Sequence, residues 1–192
     1  MKNSIKETKK LADKLVYESL PDRDKDGRVI VNMMVKDDSD FLSVFSESQT
    51  PVISSSVADF LENTTRSLSS KEQITLRVKS SCVDKEEREI YPKAIKEYYA
   101  EKYVANEKEL LRYKITAMIL AILGVLTLAV AIFISERFGS PLWSEVIDIV
   151  AWVLLWEAVD IMAFRSRNQR LLRWRYLAFI DMKVEFYDVK NK

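Results

Sequence analysis

The chain has no histidine and one cysteine, Cys82, in 192 residues. Without histidine, neither a Ser-His-Asp nor a Cys-His catalytic set can be assembled. Zinc sites built from cysteine and histidine fall with them. One cysteine also excludes a disulfide within the chain. Cys82 ends a strand-like run and has no base beside it in sequence, so it does not read as a reactive thiol. Glycine is scarce, at three residues. None precedes the Lys-Ser/Thr pair of a P-loop, so no glycine-rich phosphate cradle is expected. Residues 1–20, which begin MKNSIKETKK, contain no continuous apolar core, and no signal peptide is expected. These absences point away from an enzyme. No catalytic residue and no cofactor is expected.

Charge of one sign is missing too. Lys+Arg number 30 and Asp+Glu 29, a net charge of +1. The distribution is less even. Residues 1–114 hold 21 basic and 21 acidic side chains, whereas residues 165–192 hold 8 basic and 3 acidic. The basic excess lies in the tail, not on the N-terminal part, which argues against nucleic acid as a partner.

Two apolar runs lie between these regions. Ile115 to Ser135 is uncharged, and Trp143 to Phe164 is apolar but carries Glu145, Asp148, Glu157 and Asp160. About 20 apolar residues at 1.5 Å rise cover a bilayer core of roughly 30 Å. The expected architecture is therefore a two-helix transmembrane hairpin over 115–164. Lys102, Lys108, Arg112 and Lys114 precede it, and Arg165, Arg167, Arg170, Arg173 and Arg175 follow it. The loop ERFGSPL carries only Arg137. This basic asymmetry predicts two spans in a cytoplasmic (inner) membrane with both termini cytoplasmic. The tail arginines are candidate contacts for anionic lipid head groups.

Residues 1–92 read as a small cytosolic α+β domain in the order α-β-β-α-β, with a mostly antiparallel sheet. Helical spacing marks 4–20. Arg28 to Val35 and Leu42 to Phe45 read as strands. Ser54 to Ser56 offer a helix N-cap before Val57 and Leu61. Gln73 to Ser80 alternates as a strand. Pro92 is expected to start or kink a long helix. Residues 93–114 form a helical stalk, and 165–192 a basic helical tail. The final KVEFYDV either adds a strand to the domain's sheet or frays.

Two acidic features are candidate sites. Asp22, Asp24, Asp26 and Gly27 spell the first half of an EF-hand calcium loop. The twelfth position is Met33, where the loop needs a bidentate Glu, so the plainer reading is an acidic turn with no metal. The second is the intramembrane set Glu157, Asp160 and Asp148. On a helical wheel the four acids share one half of the second span with Trp152 and Trp156. The other half, with Ile147, Ala151, Leu155 and Ala158, suits lipid. Glu157 lies about 5 Å from the midplane, where a carboxylate costs on the order of 2.5–3.5 kcal/mol unless partnered or protonated. Its face is therefore expected against protein. The charge is either met by an ion pair, with Lys114 or a tail arginine reaching inward, or used for protons or cations. Ala117, Ala121, Gly124 and Ala131 of the first span supply a close-packing surface.

The stretch EVIDIVAWVLLWEAVDIMAF followed by RSRNQRLLRWRYLAFIDMKVEF resembles the C-terminal part of uncharacterised bacterial two-span membrane proteins. The resemblance covers about the last 50 residues and implies a hairpin but no activity. The resulting expectation is a membrane-anchored cytosolic interaction or assembly module. Its partners would be the bilayer and a further copy or another protein. The rival expectation is an oligomeric small channel or membrane-perturbing effector that uses Glu157.

Overall fold

The structure, a computed structural model, describes residues 7, 22–46, 50–138 and 141–188, with the side chains of Phe138 and Pro141 left aside. The amphipathic helix expected over 4–20 lies almost wholly outside the described residues. The rest folds as two compact units, one formed by residues within 1–98 and 178–192, the other by 99–177.

The first unit is built on a three-stranded sheet, β1 (Val29–Val35), β2 (Ile74–Ser80) and β3 (Lys183–Asp188), in the order β1-β2-β3. Both pairings are parallel. The expected antiparallel sheet is thus corrected. Parallel neighbours need a crossover, usually helical, and both links supply one. Helix α1 (Ser55–Thr64) lies between β1 and β2. Between β2 and β3 the chain runs through α2 (Glu87–Phe138), α3 (Pro141–Asp160), a π turn (Ile161–Arg165) and α4 (Ser166–Ile180). The strand expected at Leu42 to Phe45 is not formed. Leu42 makes one isolated bridge to Ile53, and Val44 and Phe45 are almost fully exposed. Over residues 22–92 the described order is therefore β-α-β followed by the start of α2, where β-β-α-β was expected after the first helix.

Register places Val31, Leu76 and Val184 in one row and Met33, Val78 and Phe186 in another. Side chains alternate between faces along a strand, so these rows share the apolar face. Val29, Val31, Leu76 and Val78 are all buried. The opposite face carries Asn32, Arg77 and Glu185 in register, with Arg77 Nε 3.4 Å from Glu185 Oε2.

Local chemistry sets the helix starts. Ser54 caps α1 by accepting from the Val57 amide. Asp84 and Glu87 form a reciprocal capping box before α2: the Glu87 amide donates to Asp84 Oδ1 at 2.8 Å, and the Asp84 amide to Glu87 Oε2 at 2.9 Å. The helix thus begins ahead of Pro92, which lies inside it. Phe41 stacks on Tyr91 at 3.8 Å between ring centroids and 9° between planes, both rings buried. That contact ties the segment after β1 to the first turns of α2.

In the second unit α2 meets residues of α3 and α4. The contacts reverse along the pair. Tyr99 meets Tyr176 at 6.2 Å between centroids. Asn106 Nδ2 donates to the Gln169 carbonyl at 3.0 Å. Gly124 lies against Ala151 and Leu155. Ala131 and Ser135 share a 180 Å³ cleft with Ser144 and Asp148. Leu110, Ala117, Gly124 and Ala131 recur every seven residues and are all buried. Ala151 and Ala158 answer them at the same spacing on α3. A seven-residue seam of small side chains lets two helices approach closely and wind around each other.

Candidate functional site: the charged ends of the helix pair

Helix α2 is the one described helix long and apolar enough to cross a membrane. Its outward side chains include Met118, Ile122, Val125, Leu126 and Phe133, each more than half exposed. Helix α3 shows the same pattern with Ile149, Trp152, Val153 and Trp156. Large apolar residues lie outside and small ones inside, the reverse of a water-facing helix pair.

This arrangement corrects the face expected of α3. Leu155 and the Ala151 backbone, expected on the lipid half, lie against Gly124 of α2, and Ala158 on the same half is buried. Trp152 and Trp156, on the acidic half, are 63% and 71% exposed. The physical reason is twofold. Small side chains give α3 the closer approach to Gly124, and the acids find a partner on their own helical path.

That partner is Arg165. Its Nη2 lies 2.8 Å from Glu157 Oε1 and its Nε 2.9 Å from Asp160 Oδ2. In an α-helix side chains tilt toward the N-terminus, so Arg165 runs back along α3 to meet both carboxylates. The π turn at 161–165 lies between these residues and resets their angular spacing. One guanidinium then faces two acids eight and five residues earlier. Asp148 does not join them. It lines the cleft with Ser135, Ser144 and Glu145, nine residues and about 13 Å along the helix from Glu157.

The tail arginines divide. Arg165 is held as described. Arg170 Nη2 donates to the Met162 carbonyl at 2.7 Å and to Ser166 Oγ at 2.8 Å. Arg173 Nε lies 3.0 Å from Glu107 Oε1 across the helix pair. Arg167 is exposed. Arg175 is half-buried and has its own interaction.

The acidic turn closes on itself. The Gly27 amide donates to the Asp24 carbonyl at 2.9 Å, and the Asp24 amide to the Arg28 carbonyl at 2.8 Å. Gly27 has φ +78°, a left-handed value that glycine adopts without strain. Arg23 braces the turn through a bidentate pair with Glu72, at 3.0 and 2.9 Å. Its hydrogen bonds and charge hold the Glu72 carboxyl below the ordinary range. Among the described residues no three acidic or sulfur side chains form a group that could hold a metal ion. Cys82 Sγ lies 3.1 Å from Ser80 Oγ, in a turn where Ser80 Oγ also accepts from the Cys82 and Val83 amides.

A groove of 360 Å³ opens at the C-terminal end of β1, lined by Met33, Val35, Asp37, Phe41, Val57 and Phe60 among others. In parallel sheets, ligands favour the carboxyl ends of strands. No sequence pattern announces it, because a groove needs the crossover that brings α1 beside β1. No family model, curated protein or solved structure matches this chain.

Proposed function

We propose that the protein is a membrane-anchored cytosolic interaction or assembly module without catalytic activity. In this reading α2 and α3 form a two-span transmembrane hairpin in the cytoplasmic membrane. The sheet unit stays in the cytosol with both termini. One observation carries the reading: the inverted pattern of the helix pair, with exposed side chains such as Met118, Phe133 and Trp152 surrounding a seam of Ala117, Gly124, Ala151 and Ala158. Water would not tolerate so continuous an apolar surface on an isolated chain.

Topology adds support. β2 precedes α2, β3 follows α4, and the two strands are hydrogen-bonded neighbours. Strands of one sheet share one side of a membrane. If α2 crosses, α3 must cross back.

The rival channel reading depends on a free carboxylate at Glu157. Arg165 pairs with that carboxylate in the isolated chain, which favours the anchor. Reconstitution of the full chain separates the two. The anchor reading expects carbonate-resistant membrane association, a monomer or dimer by native mass spectrometry in detergent, and no ion flux in liposomes. A ring of four or more subunits with Glu157-dependent flux would replace it with the channel.

A further inference from the structure

A π turn shifts the hydrogen-bond ladder by one residue and is found often at functional sites. Here the carbonyl of Met162 accepts from two side chains, Ser166 Oγ at 2.8 Å and Arg170 Nη2 at 2.7 Å. Arg170, though exposed, is thereby folded back along its helix. It lines a 130 Å³ cleft of the second unit, together with Leu110, Lys114, Ile161, Ser166 and Arg173.

The cleft is cationic. Arg173 is balanced by Glu107, but among the described residues no carboxylate pairs with Lys114 or Arg170. Its position along the helices is equally specific. Ile115, Met118 and Ile119 continue the exposed apolar surface beyond Lys114, and Met162 and Phe164 do so before Arg170. The two unbalanced cations therefore sit where the dense apolar surface gives way to a mostly charged one that still exposes Leu111, Leu171 and Trp174, beside the apolar walls of Leu110 and Ile161.

We propose that this cleft binds the phosphate of one anionic membrane lipid. The inference rests on the anchor reading above. A guanidinium and an ammonium converging on one space suit a tetrahedral anion, which accepts from both. The volume lies well below the roughly 300 Å³ at which small-molecule pockets begin, so a head-group phosphate fits where a nucleotide does not. The apolar walls suit the start of an acyl chain. A basic pocket between helices at the cytoplasmic border is a lipid-binding arrangement distinct from diffuse attraction by a basic tail.

Native mass spectrometry of the full chain in detergent tests this, with phosphatidylglycerol or phosphatidylcholine added. The expected result is one phosphatidylglycerol retained per chain, in preference to phosphatidylcholine. Lys114→Gln and Arg170→Gln should each weaken retention about fivefold, the effect of one cation near a membrane surface. Arg167→Gln, on an exposed arginine that does not line the cleft, should leave it unchanged. Lys114→Gln carries the test alone if Arg170→Gln disturbs the π turn. Equal loss in Arg167→Gln would overturn the site in favour of diffuse attraction. Displacement of the lipid by an equal concentration of inorganic phosphate would overturn the lipid assignment. Carbonate extraction of the membranes from which each protein is purified separates the two proposals. A chain that stays in the membrane fraction but retains no phosphatidylglycerol overturns the cleft alone. A chain that is extracted overturns the anchor and the cleft together.

Discussion

Gly124 of α2 lies so close to Leu155 of α3 that a Cβ placed on it would be 2.7 Å from Leu155 Cγ and 3.3 Å from the Ala151 carbonyl. The contact lies in the middle of the seam, where neither helix can move without parting from Ala117 or Ala131. Gly124→Ala gains about 1 kcal/mol of helix propensity but overpacks the seam, which costs about 1–3 kcal/mol. The net expectation is a loss, larger for Gly124→Leu. Leu155→Ala should restore part of the loss in the double variant, because it removes the atoms that clash. Unfolding of the parent, Gly124→Ala, Leu155→Ala and their double variant in one detergent checks this. Strict additivity would contradict the contact.

Arg165 serves two carboxylates, so the three side chains are not equivalent. Glu157→Gln leaves Arg165 paired with Asp160 and should cost less than ~1 kcal/mol. Arg165→Gln strands both acids within the exposed apolar surface and should cost ~1–3 kcal/mol. Thermal stability in detergent gives the order. Equal effects of the two variants would mean that the fork does not form.

Two carboxylates of the sheet unit make stability depend on acid. Hydrogen bonds and charge from Arg23 hold Glu72 below its ordinary value, as do hydrogen bonds to Glu185 from Lys183, Tyr187 and Arg77. A depressed native pKa means that the unfolded chain binds more protons, so stability rises with pH across that window. The contribution is present above the unfolded carboxyl value and is lost as pH falls through the native one. Glu72→Gln should therefore lower the melting temperature at pH 7 and converge on the parent near pH 3. A gap that widens in acid would contradict this sign.

Calcium should have no effect on the acidic turn. Asp22, Asp24 and Asp26 come without a fourth strong ligand, and Arg23 and Glu72 already brace the loop. A ligand at 100 times its dissociation constant stabilises by about 2.7 kcal/mol. Millimolar calcium that leaves the melting temperature of the full chain unchanged fits an acidic turn, whereas a clear rise would require a site.

The sequence made some of this legible because the relevant signals are local. The uncharged run from Ile115, the small residues Ala117, Gly124 and Ala131, the Ser54 cap and the alternation of 74–80 each reflect a period or a cap that one segment carries alone. Strand direction is not local. Alternation in Val29–Val35 and Ile74–Ser80 fits either direction, and only the helical links decide it. Leu42 to Phe45 looked strand-like by composition but finds no partner beyond one bridge. The face of α3 is not local either. Periodicity puts the acids on one half of the helix but does not show that Gly124 admits Leu155 on the other, and the π turn that lets Arg165 reach Glu157 leaves no periodic trace.

The central claim is that the chain enters and leaves the membrane on one side, with the α2–α3 turn on the other. Single cysteines placed at Asp26, Glu136 and Arg167 in a Cys82→Ser background test it, with a membrane-impermeant maleimide applied to intact cells. The account predicts labelling of Glu136→Cys from outside, and of Asp26→Cys and Arg167→Cys only after permeabilisation. Labelling of Arg167→Cys together with Glu136→Cys in intact cells, with Asp26→Cys protected, would contradict it.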